Sequence, residues 1–157
     1  MNLPLQTNPT QVAGLLAFAA TTAACVWAAR RQRSGGWAVL AAVHAALWLD
    51  ILLNTRHRVH DVVNAALRAL GLYESRVWLQ AALLLALAAV AVFAWRARRR
   101  AGVAVVATAM LIALMLVEAI SWHESDRLLY TYFGPLLLIA YAWLACAGAV
   151  VFAALRR

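Results

Sequence analysis

Charge is what this sequence has least of. Only 13% of its 157 residues are acidic or basic, against about 25% in a soluble domain, and 66% are apolar, against about 45–50%. A chain built this way has too few polar side chains to cover a water-facing surface. That excludes an ordinary soluble domain and makes lipid the fitting solvent. Lysine is missing altogether, so all fourteen basic residues are arginine. The formal charge is +8. The arginines lie mostly in short clusters between apolar runs, which is the pattern of membrane topology signals rather than of a nucleic-acid face. No nucleic-acid partner is expected. Arginine without lysine, in a background rich in alanine, also suggests a GC-rich bacterial genome and hence the cytoplasmic (inner) membrane.

Cysteine is scarce too. Cys25 and Cys146 sit in separate apolar runs with no Cys-x-x-Cys spacing, which argues against a disulfide framework or a thiolate metal site. They read as reduced, buried thiols that act as small hydrophobes. No repeat, low-complexity stretch or second domain is visible, and the length suits one domain, 1–157.

What is present is a series of apolar runs. A span needs about 20 such residues, and five stretches meet or approach that length: Val12–Ala29, Gly36–Leu53, Val77–Trp95, Ala101–Ile120 and Pro135–Leu155. The expected fold is therefore an all-α, polytopic membrane helix bundle of about five transmembrane helices. Arg30, Arg31 and Arg33 follow the first run, Arg96, Arg98, Arg99 and Arg100 the third, and Arg156 and Arg157 the fifth. In a five-span chain these places share one side, which should be cytoplasmic, giving an N-out, C-in chain. Tyr73, Trp78, Trp122, Tyr130, Tyr132 and Phe133 then fall near the outer interface, and Trp27, Trp37 and Trp95 near the inner one, the depth that amphipathic rings prefer. Small residues are frequent in the spans, as helices that pack closely in lipid require, within a bundle or in a homo-oligomer.

The acids gather on the other side. Asp50, Asp61, Glu74, Glu118, Glu124 and Asp126 all fall on or near the outer face, with His57, His60 and His123. Asp50 and Glu118 lie inside otherwise apolar runs. An ionisable group at that depth faces a bundle interior, a cavity or a partner rather than lipid. After the second run, Asp50, Asn54, His57, Asp61, Asn64 and Arg68 keep within about 80° of one another at 100° per residue. Val59, Val62, Val63, Ala66 and Leu70 fill much of the opposite side. Asn54–Leu70 is thus expected to be an amphipathic helix, stopped by Gly71, that either continues the second span or lies in the interface.

Several chemistries are open to these residues. His57, His60, Asp61, His123 and Asp126 are candidate ligands for zinc or iron, with Glu118 and Asp50 as candidate acid–base groups; such a centre would suit a metal-dependent hydrolase acting on a lipid or envelope substrate. His-x-x-His-Asp is not an established metal-enzyme motif, however. Ser121, Ser125, His123 and Asp126 include the residue types of a nucleophilic triad, but they are crowded into six positions, where such groups normally converge from separate elements. His44, inside the second run, is a candidate haem ligand or a histidine that hydrogen-bonds to a neighbouring helix. Glu74 and Gln80 could meet a quinone. Transport is disfavoured, because the charges lie toward one side rather than at mid-membrane. With no motif that specifies a reaction, the leading expectation is a non-catalytic accessory or interaction subunit of a membrane complex. Its outer polar residues would be a recognition surface, spread and solvent-facing; a metal or catalytic site would draw them together within a few ångströms.

Overall fold

The structure, a computed structural model, describes residues 8–71, 102–117 and 127–156, together with the single positions Trp78, Ala81, Leu85, Ala89 and Val92. Its elements are α1 (Pro9–Gln32), α2 (Gly35–Leu53), α3 (Thr55–Ala69), α4 (Gly102–Val117), the strands β1 (Tyr132–Phe133) and β2 (Leu136–Leu137), and α5 (Leu138–Arg156). α1, α2 and α5 are each long and apolar enough to cross a membrane. At 1.5 Å per residue, the 19 residues of α2 reach about 28 Å, close to the thickness of a hydrocarbon core.

Local chemistry sets the ends. Asn8 starts α1: its side chain accepts from the Thr10 N–H, and Pro9 takes the first turn, where its missing N–H costs nothing. Arg33, left-handed at φ 49°, ends α1 by donating its N–H to the Ala29 carbonyl. Arg30 and Arg31 occupy the last turn, where positive charge complements the helix dipole. One further residue, Ser34, turns the chain into α2. Asn54, also left-handed at φ 53°, ends α2 and donates its N–H to the Asp50 carbonyl. This break separates α3 from α2, so the amphipathic segment is its own helix rather than a continuation of the second span. Its bounds match the sequence expectation to within a residue at each end, and Gly71 follows at φ +68°.

The membrane-length helices are apolar on every side, as helices bathed in lipid must be. Leu16, Val39 and Leu144 face outward and are exposed. The inward faces mix small groups with a few large ones. On α1, Thr10, Gly14, Ala17, Phe18, Thr21, Cys25 and Ala28 recur at helical spacing and are buried. Ala41 and His44 do the same on α2, Ala104, Ala107, Thr108 and Leu111 on α4, and Ala140, Trp143, Ala147 and Val150 on α5. α1 packs against both α2 and α5. Gly14 makes that close approach possible, since a Cβ there would come within 2.7 Å of Ile51 Cδ1 and 2.9 Å of Trp143 Cζ3.

Two differences from the sequence reading have clear physical causes. The fifth span was expected from Pro135, but α5 begins at Leu138 because a short hairpin precedes it. Phe133 pairs with Leu136 and Tyr132 with Leu137, leaving Gly134 and Pro135 as the two loop residues. Gly134 has φ +64°, which the first position of a type II′ turn requires; proline cannot donate to a helical ladder. Trp37, expected as an interfacial anchor, is buried, and its indole N–H donates to Gln32 Oε1 at 2.9 Å. The third expected span falls largely outside the described residues. The five positions described there are all helical.

Candidate functional site

Among the described residues, the buried polar side chains are Thr10, Thr21, His44 and Thr108. Three of the four form one unit. His44 is wholly excluded from solvent. Its Nδ1 lies 3.2 Å from Thr21 Oγ1 of α1 and its Nε2 lies 3.1 Å from Thr108 Oγ1 of α4. Each threonine also turns back onto its own helix. Thr108 Oγ1 donates to the Ala104 carbonyl at 2.8 Å, and Thr21 Oγ1 lies 3.1 Å from the Ala17 carbonyl and 3.0 Å from that of Phe18. The Phe18 ring packs near both His44 and Trp143, at centroid separations of 6.2 and 6.1 Å. The imidazole of α2 is thereby tied to α1 and α4, and through Phe18 it adjoins α5.

The proton count closes. A neutral imidazole has one N–H donor and one acceptor, and a hydroxyl has one proton and spare lone pairs. With the proton on Nε2, the ring donates to Thr108, which passes its own proton to Ala104, while Thr21 donates to Nδ1. With the proton on Nδ1 the pattern runs the other way. A doubly protonated ring is also satisfied, since each N–H meets a hydroxyl oxygen whose proton goes to a helix carbonyl. Three helices are thus joined through one buried side chain whose polar atoms are all paired, the condition for a polar group to be tolerated in an apolar interior. Of the two sequence readings of His44, this is the histidine hydrogen-bonded to neighbouring helices. Iron at either ring nitrogen would have to displace a threonine hydroxyl.

The outer-face candidates are distributed differently. Asp50 is half-buried near the end of α2. Asp61 is exposed on α3. His57 and His60 lie on the α3 backbone, where His57 and Asp61 are one helical turn apart. Glu118, His123 and Asp126 lie outside the described residues, as do Glu74, Gln80, Ser121 and Ser125. Among the described residues, no three histidine, cysteine or carboxylate side chains stand close enough to hold a metal ion. Every α3 side chain that is described is exposed, Val62 on the apolar side included, as is Leu70 just past its end. The hairpin before α5 presents Tyr132 and Phe133, both about two-thirds exposed. The Tyr141 hydroxyl braces this hairpin by donating to the Phe133 carbonyl at 2.6 Å.

Sequence reasoning missed Thr21 and Thr108 as partners of His44. A signal was there to be read. Thr21 precedes the Arg30 cluster by nine positions and His44 follows Gly35 by nine, so the two lie at one depth in adjacent antiparallel spans. Thr108 lies at a similar depth after Gly102. Polar residues at one depth in separate spans are the natural partners of an intramembrane histidine.

Comparison with known protein families, curated proteins and solved structures finds no match to this chain.

Proposed function

We propose that this protein crosses a bacterial cytoplasmic membrane five times, N-terminus out and C-terminus in, and works as a non-catalytic accessory or interaction subunit of a membrane complex through its outer face. The observation that carries this reading is α3. It is an amphipathic helix set apart by the break at Asn54, and all its described side chains, apolar Val62 among them, are exposed, as is Leu70 just past its end. Amphipathic helices with uncovered apolar faces bind either a membrane surface or a protein groove. Asp61, on the polar side of the same helix, is exposed.

Connectivity supports the span count. α2 ends beside the start of α1, where Gln11 Nε2 donates to the Ile51 carbonyl. α4 begins at the opposite end, beside Ser34 and Arg156. The chain between Leu53 and Gly102 must therefore return from one end of the bundle to the other. The helical positions Trp78, Ala81, Leu85, Ala89 and Val92 fall within the apolar run that would make that crossing.

Site-specific photo-crosslinking tests the function. A probe at Val62 should yield one discrete protein adduct in native membranes, and a probe at Leu144, on the lipid-facing side of α5, should yield lipid adducts only. Lipid adducts alone at Val62 would make α3 a membrane anchor and remove the docking surface. Elemental analysis of the gently solubilised protein supplies the opposing arm. Stoichiometric zinc or iron that is lost in His57→Ala would replace the subunit reading with a metal-dependent enzyme.

A further inference from the structure

The end of the bundle that carries the arginines differs in kind from the rest. There the C-terminus of α5 and the N-termini of α2 and α4 surround a cavity of about 440 Å³. This lies within the roughly 300–1,000 Å³ of ligand sites. The walls are apolar: Trp37 and Leu40 from α2, Val105 from α4, and Phe152 from α5. The rim is not. Ser34 and Arg156 stand there, and the first turns of α2 and α4 begin there at Gly36 and Gly102.

Each rim feature favours negative charge. Arg156 is exposed, and its guanidinium sits 4.5 Å from the centre of the Phe152 ring, a stacked position beside the opening. Ser34 caps α2 in sequence position only, because its side chain makes no bond to the helix's first turn. The leading amides of α2 therefore keep their donor capacity, at the positive end of the helix dipole. No side chain covers them at Gly36: a Cβ there would meet only Ser34 Oγ, at 3.7 Å. An apolar slot with a cationic mouth at the end of a membrane bundle is complementary to one kind of molecule, an amphiphile whose anionic head lies at the membrane surface.

We propose that this cavity binds one anionic phospholipid. The phosphate and head group meet Arg156, Ser34 and the first turn of α2, and an acyl chain runs inward past Leu40 and Val105 between Trp37 and Phe152. The lipid seals a bundle end that the protein's own side chains leave open.

Native mass spectrometry of the full-length protein, released from detergent and titrated with phosphatidylglycerol or with phosphatidylcholine of the same acyl chains, tests this. The wild type should retain one phosphatidylglycerol with at least about fivefold preference over phosphatidylcholine, the scale of one basic residue near a membrane surface. Arg156→Gln should reduce that preference to less than about twofold. Arg31→Gln removes an arginine that stacks on Trp27 instead, 5.0 Å from its ring centre and away from the cavity, and should leave the preference intact. Ala153→Trp, which fills the slot, should weaken both lipids. Equal retention of the two lipids by the wild type would overturn the proposal. So would equal losses in Arg156→Gln and Arg31→Gln, the mark of general charge attraction. Displacement of the bound lipid by inorganic phosphate alone would also overturn it, in favour of a free-phosphate site.

Discussion

The two ends of this bundle are held in different ways. At the end where α1 begins, polar bonds stitch separate elements together. Gln11 of α1 donates to the Ile51 carbonyl of α2, and Thr10 Oγ1 accepts from the Leu137 N–H of β2 at 3.0 Å. Gly14 lets Ile51 and Trp143 close directly over α1. At the arginine end the polar side-chain contacts among the described residues are short-range. Arg31 stacks on Trp27 within α1, Arg156 stacks on Phe152 within α5, and the Trp37 indole N–H donates to Gln32 across the tight turn. Between the two ends lies the His44 layer. Lipid supplies no hydrophobic drive for helices to associate, so cohesion depends on close packing and interhelical hydrogen bonds. Where both are present the bundle is shut. Where both are sparse it has a cavity.

This contrast predicts a gradient of mutational cost, readable as the free energy of reversible unfolding in mixed micelles. The largest effect is expected at Gly14→Ala. The new methyl group would overlap the Trp143 ring and Ile51, and the cost should be about 2–3 kcal/mol, as for other overpacked sites. The matched substitution at the open end, Gly36→Ala, makes only an ordinary contact with Ser34 Oγ and should change stability by less than about 0.5 kcal/mol, or raise it slightly. Equal costs at these two glycines would break the comparison.

His44→Ala should come next, at about 2 kcal/mol, from the vacated volume and the lost interhelical bonds. His44→Leu should cost about 1 kcal/mol, because Thr21 and Thr108 keep bonds to their own helices and only the cross-links go. Equal costs for His44→Leu and His44→Ala would show that hydrogen bonding rather than volume governs that layer. Thr10→Val should cost about 1 kcal/mol by leaving the Leu137 N–H without its acceptor. Arg156→Gln should be smallest, within about 0.5 kcal/mol, since the residue is exposed in the last turn of α5. A larger loss in lipid-free detergent would show that the arginine end has a cohesion of its own.

Much of this architecture could be read from the residues in order. The first two spans and the amphipathic helix fall within a few residues of their expected limits, because apolar runs bounded by Asn8-Pro9, Arg33-Ser34 and Asn54 leave little freedom. The hairpin before α5 was hidden, since Tyr132, Phe133, Leu136 and Leu137 are as compatible with an interfacial helix end as with two strands. Only the Gly134-Pro135 pair carried the turn. The site was less legible. That His44 would bond to another helix was one of its two readings, but the partners depended on comparing depth across spans. The cavity left no trace in the sequence, because it arises from the space left between the ends of α2, α4 and α5. The fate of Asp50 was open for the same reason: its half-burial depends on how α2 sits against its neighbours.

The bond between Thr10 and Leu137 joins residues 127 positions apart. Thr10 is therefore made 127 residues before its partner. Throughout that interval the first turn of α1 lacks the strand that finally seats on it. α1 can form early, but its first turn is finished only when the hairpin has emerged. Assembly at that end of the bundle waits for the hairpin, however early the first two helices have paired.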